Sequence, residues 1–231
     1  MKSALLLYGH MRTFDKCFPE LEKNLLSKYS PDIFIHTWNL LDSTTASWHK
    51  GETAEGSYVN QDEIIKIYNP KNILVETQRP PDETNKLTNS INLFGFSCMY
   101  ESLNKSCGLK SEYEKENDFK YDLVIKIRPD IFLQSEFPTF EINELEDYDI
   151  FIAGNKRNNH PKSIDDYLAV DIINVGKSEN MDKICDLYYN IKNYFSEENN
   201  ENGFAKYVKE LGFKYKMLPY DYNSHWHIKR L

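Results

Sequence analysis

Residues 121–130 read YDLVIKIRPD, and this stretch decides the fold. The aliphatic run in its middle predicts a buried strand over residues 121–127, which Pro129 ends because proline cannot donate a hydrogen bond to a β-ladder. Arg128 and Asp130 are thereby displayed at the carboxyl end of the strand. Burying a base and an acid is costly unless the charges pair or bind something. We expect a ligand site at this turn; the alternative is an ion pair between the two side chains that only closes it.

Apolar runs and helix-period segments alternate on both sides of this strand. Further strands are predicted at residues 4–8, 32–36, 72–76, 149–153, 168–175 and 214–218. Helices are predicted at residues 14–26, 62–67, 93–117, 181–195 and 204–211. This alternation is typical of an α/β fold with a mostly parallel central sheet flanked by helices on both faces. At 231 residues, the chain is expected to form one domain.

Charge and motifs weigh against several classes of protein. The balance of 28 basic and 36 acidic residues gives a formal net charge of −8, which argues against nucleic acid as a partner. The sequence has no Walker A, G-x-G-x-x-G, G-x-S-x-G or H-E-x-x-H motif. A nucleotide hydrolase, a dinucleotide oxidoreductase, an ordinary serine hydrolase and a zinc protease are therefore disfavoured.

Cysteine use and hydropathy predict a cytoplasmic location. The four cysteines are scattered without metal-binding or redox spacing, which is typical of core residues in a reducing compartment. The apolar run at the N-terminus is too short for a signal peptide, and no run is long enough to span a bilayer. The basic residues around Lys229 and Arg230 either face a diphosphate or an anionic membrane, or form a solvated surface. We expect at most peripheral contact with the inner face of the membrane.

The turn after the first predicted strand is a second candidate site. In open α/β sheets, ligands bind beyond the carboxyl ends of the strands. Gly9, His10 and Arg12 lie there, where a helix begins. A glycine lets a ligand approach the backbone, a helix N-terminus attracts anions, and an arginine offers a two-donor fork to phosphate. Contact with phosphate or a nucleotide is expected; the alternative is an ordinary strand-to-helix turn with an exposed arginine.

His36 and Trp38 follow the second predicted strand. A long segment without periodicity, residues 38–60, begins here, and a second one covers residues 79–89. Loops of this length in compact domains are usually functional or disordered. A tryptophan in a loop can stack on a nucleobase or a sugar, so contact with a ligand is the functional interpretation. The alternative is that His36 is simply hydrogen-bonded within the fold.

Three stretches of the sequence together resemble a known group of enzymes. They are residues 5–14 (LLLYGHMRTF), 31–38 (PDIFIHTW) and 121–130. They resemble small glycosyltransferases of bacterial and viral surface-polysaccharide gene clusters, which make capsule or lipopolysaccharide. These enzymes are similar to the GT-A fold, a Rossmann-like single domain that binds a nucleotide sugar.

The resemblance implies a donor, an acceptor and separate functions for the two halves of the chain. The donor would be a UDP- or GDP-linked sugar, and the acceptor a glycan or a lipid-linked glycan. Residues 1–120 would form the nucleotide-binding half, and residues 121–231 the acceptor and catalytic half. The residues implied to bind the donor are Tyr8, Gly9, His10, Arg12, His36, Trp38, Arg128 and Asp130.

The resemblance leaves the need for a metal open. In GT-A enzymes the equivalent strand ends in Asp-x-Asp, which holds a divalent metal on the donor diphosphate. Asp130 matches the second carboxylate, and Arg128 replaces the first. One carboxylate is a poor site for Mg²⁺ or Mn²⁺ unless other ligands help, whereas an arginine can neutralise the diphosphate directly. His225 and His227 share one face of an extended segment and are implied as further metal ligands; the alternative is a disordered tail.

Asp165 and Asp166 are the predicted catalytic carboxylates. An inverting transferase needs a base to deprotonate the acceptor hydroxyl, and neighbouring carboxylates tend to raise each other's pKa. The alternative is a helix cap or a turn.

The resulting hypothesis is a nucleotide-sugar glycosyltransferase of surface-polysaccharide synthesis. Arg128 would stabilise the leaving diphosphate, and the loop after Trp38 would cover the acceptor. Two alternatives stay open. One is a transferase of a phosphoryl-type group onto a glycan, and the other is a non-catalytic module that binds a nucleotide or a glycan.

Overall fold

The computed structural model describes residues 1–42, 57–79, 93–157, 159–195 and 200–229. Its strands, in chain order, are β1 (Ser3–Tyr8), β2 (Asp32–Trp38), β3 (Asn72–Glu76), β4 (Leu123–Ile127), β5 (Ile131–Leu133), β6 (Ile150–Ile152), β7 (Asn155–Lys156), β8 (Tyr167–Leu168), β9 (Asn174–Gly176), β10 (Tyr215–Met217) and β11 (Trp226–Ile228). Its helices are α1 (Phe14–Leu21), α2 (Ser27–Tyr29), α3 (Gln61–Tyr68), α4 (Leu93–Glu116), α5 (Ile142–Asp147), α6 (Ser178–Cys185), α7 (Ile191–Phe195) and α8 (Asn200–Glu210).

A seven-stranded central sheet organises the described part of the chain. The strand order is β10-β6-β9-β4-β1-β2-β3, and every strand is parallel to β1 except β9, which runs antiparallel to β4 and β6. The chain adds β2 and β3 on one side of β1 and then crosses over to add β4 on the other side. Such a reversal of strand order marks the crevice in which open α/β sheets bind ligands. We refer to the carboxyl ends of β1 and β4 as the β1–β4 edge.

Alternating side chains of β1 pack into two cores, one on each face of the sheet. Leu5 and Leu7 belong to the core that includes residues of α1, and Leu6 and Tyr8 belong to the core that includes residues of α4. Both β1 and β4 are buried along their full length, as expected for central parallel strands covered on both faces. Tyr8, the last residue of β1, therefore reaches the β1–β4 edge on the α4 face.

A small antiparallel sheet joins the end of the described chain to this edge. β11 pairs with β5, which places Ile228 opposite Ile131. Beyond this pair, the Lys229 amide donates to the Asp130 carbonyl at 2.8 Å, and the Thr13 hydroxyl donates to the Lys229 carbonyl at 2.7 Å. Residues 226–229 thus bridge the turns that follow β1 and β4. The disordered tail that was the alternative interpretation does not apply to these residues.

The α/β class and the mostly parallel, helix-flanked sheet are confirmed, and two predicted elements are wrong. The apolar run at residues 168–175 is not one strand, because Ala169 adopts a left-handed φ of 59° and a turn separates β8 from β9. The predicted helix at residues 181–195 is interrupted by a 3₁₀ turn, Asp186–Asn190. An apolar or helical period does not reveal such local changes of backbone.

Parts of the predicted loops lie outside the described residues. These parts are residues 43–56, which hold most of the loop expected to cover the acceptor, and residues 80–89 of the second loop; residues 90–92 are not described either. Arg230 of the basic C-terminal segment also lies outside them. None of the described helices combines the length and the apolar character needed to cross a bilayer.

Candidate functional site

Two arginines and two aspartates meet at the β1–β4 edge. Asp130 is fully buried. Its Oδ1 accepts a hydrogen bond from Arg128 Nε at 3.0 Å, and its Oδ2 accepts from Arg128 Nη2 at 2.5 Å and from Arg12 Nη1 at 2.8 Å. Arg12 Nε also donates to Asp42 Oδ1 at 2.5 Å. The ion pair that the sequence left as an alternative at this turn is therefore present, and Arg12 joins it from the turn after β1.

Opposing effects act on the charge of Arg128. Burial alone would lower the pKa of Arg128, but Asp130 outweighs this effect and raises it. Arg128 is therefore held as a cation at a largely buried position. Arg12 itself has a left-handed φ of 44°, a conformation that few residues other than glycine adopt. A strained backbone that aims a cation into a crevice is a common feature of ligand sites.

The Gly9 amide is engaged within the protein. Gly9 has a φ of 94° and donates its N–H to Ser102 Oγ of α4 at 2.7 Å. Ser102 Oγ lies 2.7 Å from His36 Nδ1, and His36 Nε2 lies 2.8 Å from Glu76 Oε2. Lys105 pairs with the same Glu76 oxygen. A chain of polar contacts thus runs from the carboxylate of Glu76 to Gly9 in the turn after β1. These contacts hold that turn in place.

His36 and Trp38 are buried parts of this support. Burial lowers the pKa of His36, against the effect of its hydrogen bond to Glu76. Trp38 is the last residue of β2 and is 2% exposed, so the expectation that it lies in a loop is wrong. β2 extends two residues further than the apolar run of the sequence indicates, and Trp38 packs with Phe94 and Cys98.

His10 is held as a neutral side chain beside the charged cluster. Its Nδ1 lies 3.0 Å from the Leu40 carbonyl oxygen, and because a carbonyl only accepts, Nδ1 carries the proton. Burial, together with the smaller effect of the nearby guanidinium of Arg12, lowers the pKa of His10 to about 4. At neutral pH the positive charge of this turn therefore comes from Arg12.

Replacing His10 by Asn and by Gln is expected to separate its two ring nitrogens. The Asn amide nitrogen takes the place of Nδ1 and can still donate to Leu40, whereas the Gln amide takes the place of Nε2. We expect His10→Gln to cost about 1 kcal/mol more than His10→Asn, because it leaves the Leu40 carbonyl without its donor. Urea denaturation of both variants measures this difference. Equal losses would show that the bond to Leu40 contributes nothing to stability.

Asp165 and Asp166 make local contacts on a 3₁₀ turn, Ile164–Asp166. Asp166 accepts hydrogen bonds from the amides of Lys162 and Ser163 at 2.7 and 3.1 Å, so the capping alternative is confirmed for it. Asp165 pairs with Lys209 of α8 at 2.7 Å. Burial acts to raise the pKa of Asp165, but the hydrogen bonds from Lys209 and Ser163 outweigh it and the net direction is downward. The expectation of a raised pKa is wrong for Asp165, and the catalytic role of the two aspartates stays a prediction.

The residues predicted to hold a metal make other contacts in this arrangement, and metal binding by them stays a prediction. Both oxygens of Asp130 already accept hydrogen bonds from the arginines. The His225 ring stacks on Tyr220 at 5.4 Å, and its Nδ1 accepts a hydrogen bond from the Asp221 amide. The His227 ring lies 5.1 Å from the ring of Phe132. We therefore derive no chemical step through a metal.

Two buried charged residues at this edge were missed as site residues. Lys126 is fully buried in β4, and its ammonium donates to the Asp171 carbonyl at 2.6 Å. Asp171 lies in the turn before β9 and is 2% exposed. Each residue interrupts an apolar run of the sequence. A charge within a predicted buried strand is the signal that would have identified both.

Comparison with known proteins leaves the chain unassigned to a family. None of the models of known protein families matches it, and no curated protein matches it either. The fold and the site geometry are therefore the basis for a proposed function.

Proposed function

We propose that the chain is a glycosyltransferase that binds the diphosphate of a nucleotide sugar at the β1–β4 edge. The observation that carries this proposal is the pair of largely buried arginines, one from each side of the reversal in strand order, oriented by the shared carboxylate of Asp130. A guanidinium has five N–H donors in a fixed plane, which match phosphate oxygens. Arginines held by a buried carboxylate lose little conformational entropy when they bind.

The arginines also supply the chemistry that the transfer of a sugar needs. When the bond between the sugar and the diphosphate breaks, negative charge develops on the leaving phosphate. Cationic donors fixed in a partly buried site stabilise that charge more than water does. In this proposal Arg12 and Arg128 take the part that a divalent cation plays in GT-A enzymes, and the acceptor is a glycan or a lipid-linked glycan of the cell surface. The proposed location is the cytoplasm.

Binding of nucleotide sugars, with and without a metal, tests the proposal. UDP-, GDP-, CMP- and dTDP-sugars are screened by thermal shift and calorimetry, first with Mn²⁺ and then with EDTA. We expect at least one donor to bind and its binding to survive EDTA. Loss of binding in EDTA would assign the role of the arginines to a metal, and no binding of any donor would overturn the proposal. Release of free nucleotide in the presence of acceptor glycans separates a transferase from a binding module.

Substitution of Arg128 measures its contribution to binding. Arg128→Lys keeps the charge but loses the planar fork, and Arg128→Met loses both. We expect the dissociation constant for the donor to rise about 10- to 100-fold in Arg128→Met, and less in Arg128→Lys, because a hydrogen bond to a charged group is worth about 1.5–3 kcal/mol. Lys66→Met, on the exposed face of α3, is the control. A value for Arg128→Met equal to that of the control would remove Arg128 from the site.

A further inference from the structure

Lys126 and Asp171 form a second pair of charged residues close to Arg128. Lys126 lies on β4 and Arg128 follows the strand two residues later, and both side chains interact electrostatically with Asp171. The Lys126 ammonium lies 5.4 Å from the centre of the Tyr8 ring and 5.1 Å from that of Phe204. The α4 face of the β1–β4 edge therefore contains a lysine with aromatic rings and a carbonyl around it.

The turn that carries Asp171 is fixed by side chains from several elements. Its first residue, Ala169, has a left-handed φ, and its amide donates to Glu201 Oε1 of α8 at 2.6 Å. The Tyr8 hydroxyl lies 3.4 Å from the carbonyl oxygen of Asp171 and 3.3 Å from that of Ile172. Together with Lys126, these groups hold a strained turn against the edge. Strain of this kind is retained where the surroundings over-determine the backbone, most often at functional sites.

Several titratable groups face Asp171. They are Lys126 of β4, Arg128 after β4, Glu201 of α8, and the phenols Tyr8 of β1 and Tyr100 of α4. Burial raises the pKa of Asp171 to about 6, partly offset by Lys126. Burial lowers the pKa of Lys126 to about 8, partly offset by Asp171. Such a pair costs desolvation free energy that apolar side chains of similar size would not cost.

We propose that the charges of Lys126 and Asp171 set how strongly the β1–β4 edge binds an anion, with a nucleoside diphosphate as the ligand. This inference rests on the proposed function, because it concerns the same diphosphate site. With both groups ionised, their charges cancel. When Asp171 takes up a proton, the positive charge of Lys126 is left below the arginines. When Lys126 loses its proton, the negative charge of Asp171 is left there.

The affinity of the edge for an anion therefore falls in two steps as the pH rises, one near the pKa of Asp171 and one near that of Lys126. A unit charge within several ångströms of a partly buried anion changes its affinity by about five- to tenfold at an effective dielectric constant near 20 after partial screening by solvent. Lys126 and Asp171 act on the bound anion through their charges. Neither side chain needs to touch the sugar.

The test uses calorimetry with pyrophosphate and with UDP on the full chain at pH 5.5 and pH 9. Lys126→Met, Asp171→Asn and the double variant are each compared with the wild type, so that the titration of the ligand itself cancels. At pH 5.5 we expect Lys126→Met to bind about fivefold more weakly and Asp171→Asn to bind as tightly as the wild type. At pH 9 we expect Asp171→Asn to bind about fivefold more tightly and Lys126→Met to match the wild type.

If a single variant fails to fold, the double variant tests whether the charges of Lys126 and Asp171 set the affinity. It has no charge at either position, so it is expected to bind more weakly than the wild type at pH 5.5 and more tightly at pH 9. A purely structural role would weaken binding at both pH values in every variant, and that result would overturn the inference. A wild type that binds UDP with none of these shifts overturns the inference alone. A wild type that binds neither probe overturns the proposed function and the inference with it.

Discussion

Asp130→Ala is expected to lower the free energy of unfolding by about 3–5 kcal/mol, because it removes the anion that two arginines share at a buried position. The side chains of Arg12 and Arg128 are only 12% and 13% exposed, so water cannot fully replace the lost carboxylate. Asp42 still pairs with Arg12, and Arg128 is therefore the cation that loses most. Urea denaturation followed by circular dichroism measures the change.

Two further variants test whether the loss of stability in Asp130→Ala comes from the unpaired arginines. Asp147→Asn removes an exposed carboxylate from the end of α5 and is expected to change stability by less than about 0.5 kcal/mol. A double variant, Asp130→Ala with Arg128→Met, removes the buried cation together with its partner and is expected to recover part of the loss. If Asp130→Ala costs no more than Asp147→Asn, then Asp130 does not stabilise the arginines, and the site lacks the preorganisation on which the proposed function depends.

Trp226→Ala is expected to cost about 3–5 kcal/mol and to release the strand that bridges the edge. Trp226 is fully buried in β11, and its indole nitrogen donates to the Tyr220 carbonyl at 3.0 Å. The substitution leaves a large cavity and an unpaired carbonyl. Because β11 pairs only with the short strand β5 in the described structure, the loss of this anchor weakens the pairing directly.

Trp226→Phe is the matched variant, since it keeps most of the apolar volume and loses the indole donor. We expect it to cost about 1–2 kcal/mol. Hydrogen exchange reports on the strand itself, and the amides of β5 should exchange faster in Trp226→Ala than in Trp226→Phe. Unchanged protection of β5 in both variants would mean that Trp226 does not hold β11 in place.

The fold could be predicted from the sequence where one apolar run coincides with one strand. The strand at residues 72–76 has the predicted bounds, and β4 differs from its predicted range only at its start. The break at Ala169 could not be predicted in this way, because the residue is apolar and lies within an apolar run. The cause of its left-handed backbone is the set of long-range contacts from Tyr8, Lys126 and Glu201, which no local pattern contains.

The candidate site could be predicted in part. Arg12, Arg128 and Asp130 were identified because the carboxyl ends of parallel strands meet at one edge, and they do contact each other. His36 and Trp38 lie next to the same edge, but they are buried and support it through their packing and hydrogen bonds. The sequence does not show this, because it does not show that β2 extends to Trp38. Asp171 precedes β9, whose start lies at the β1–β4 edge because β9 is antiparallel to β4. The prediction of parallel strands places the start of β9 at the other edge of the sheet.

The bridge made by residues 226–229 has a consequence for the order in which the protein forms during synthesis. The contact between Thr13 and Lys229 spans 216 positions of the chain, and the entropy of closing that loop must be lost before this contact forms. A ribosome that has released β1 and β4 has made both arginines, yet the turns that carry them are still unbridged. The two turns are bridged only when residue 229 has left the exit tunnel. Folding of this edge thus waits for the synthesis of residues 226–229.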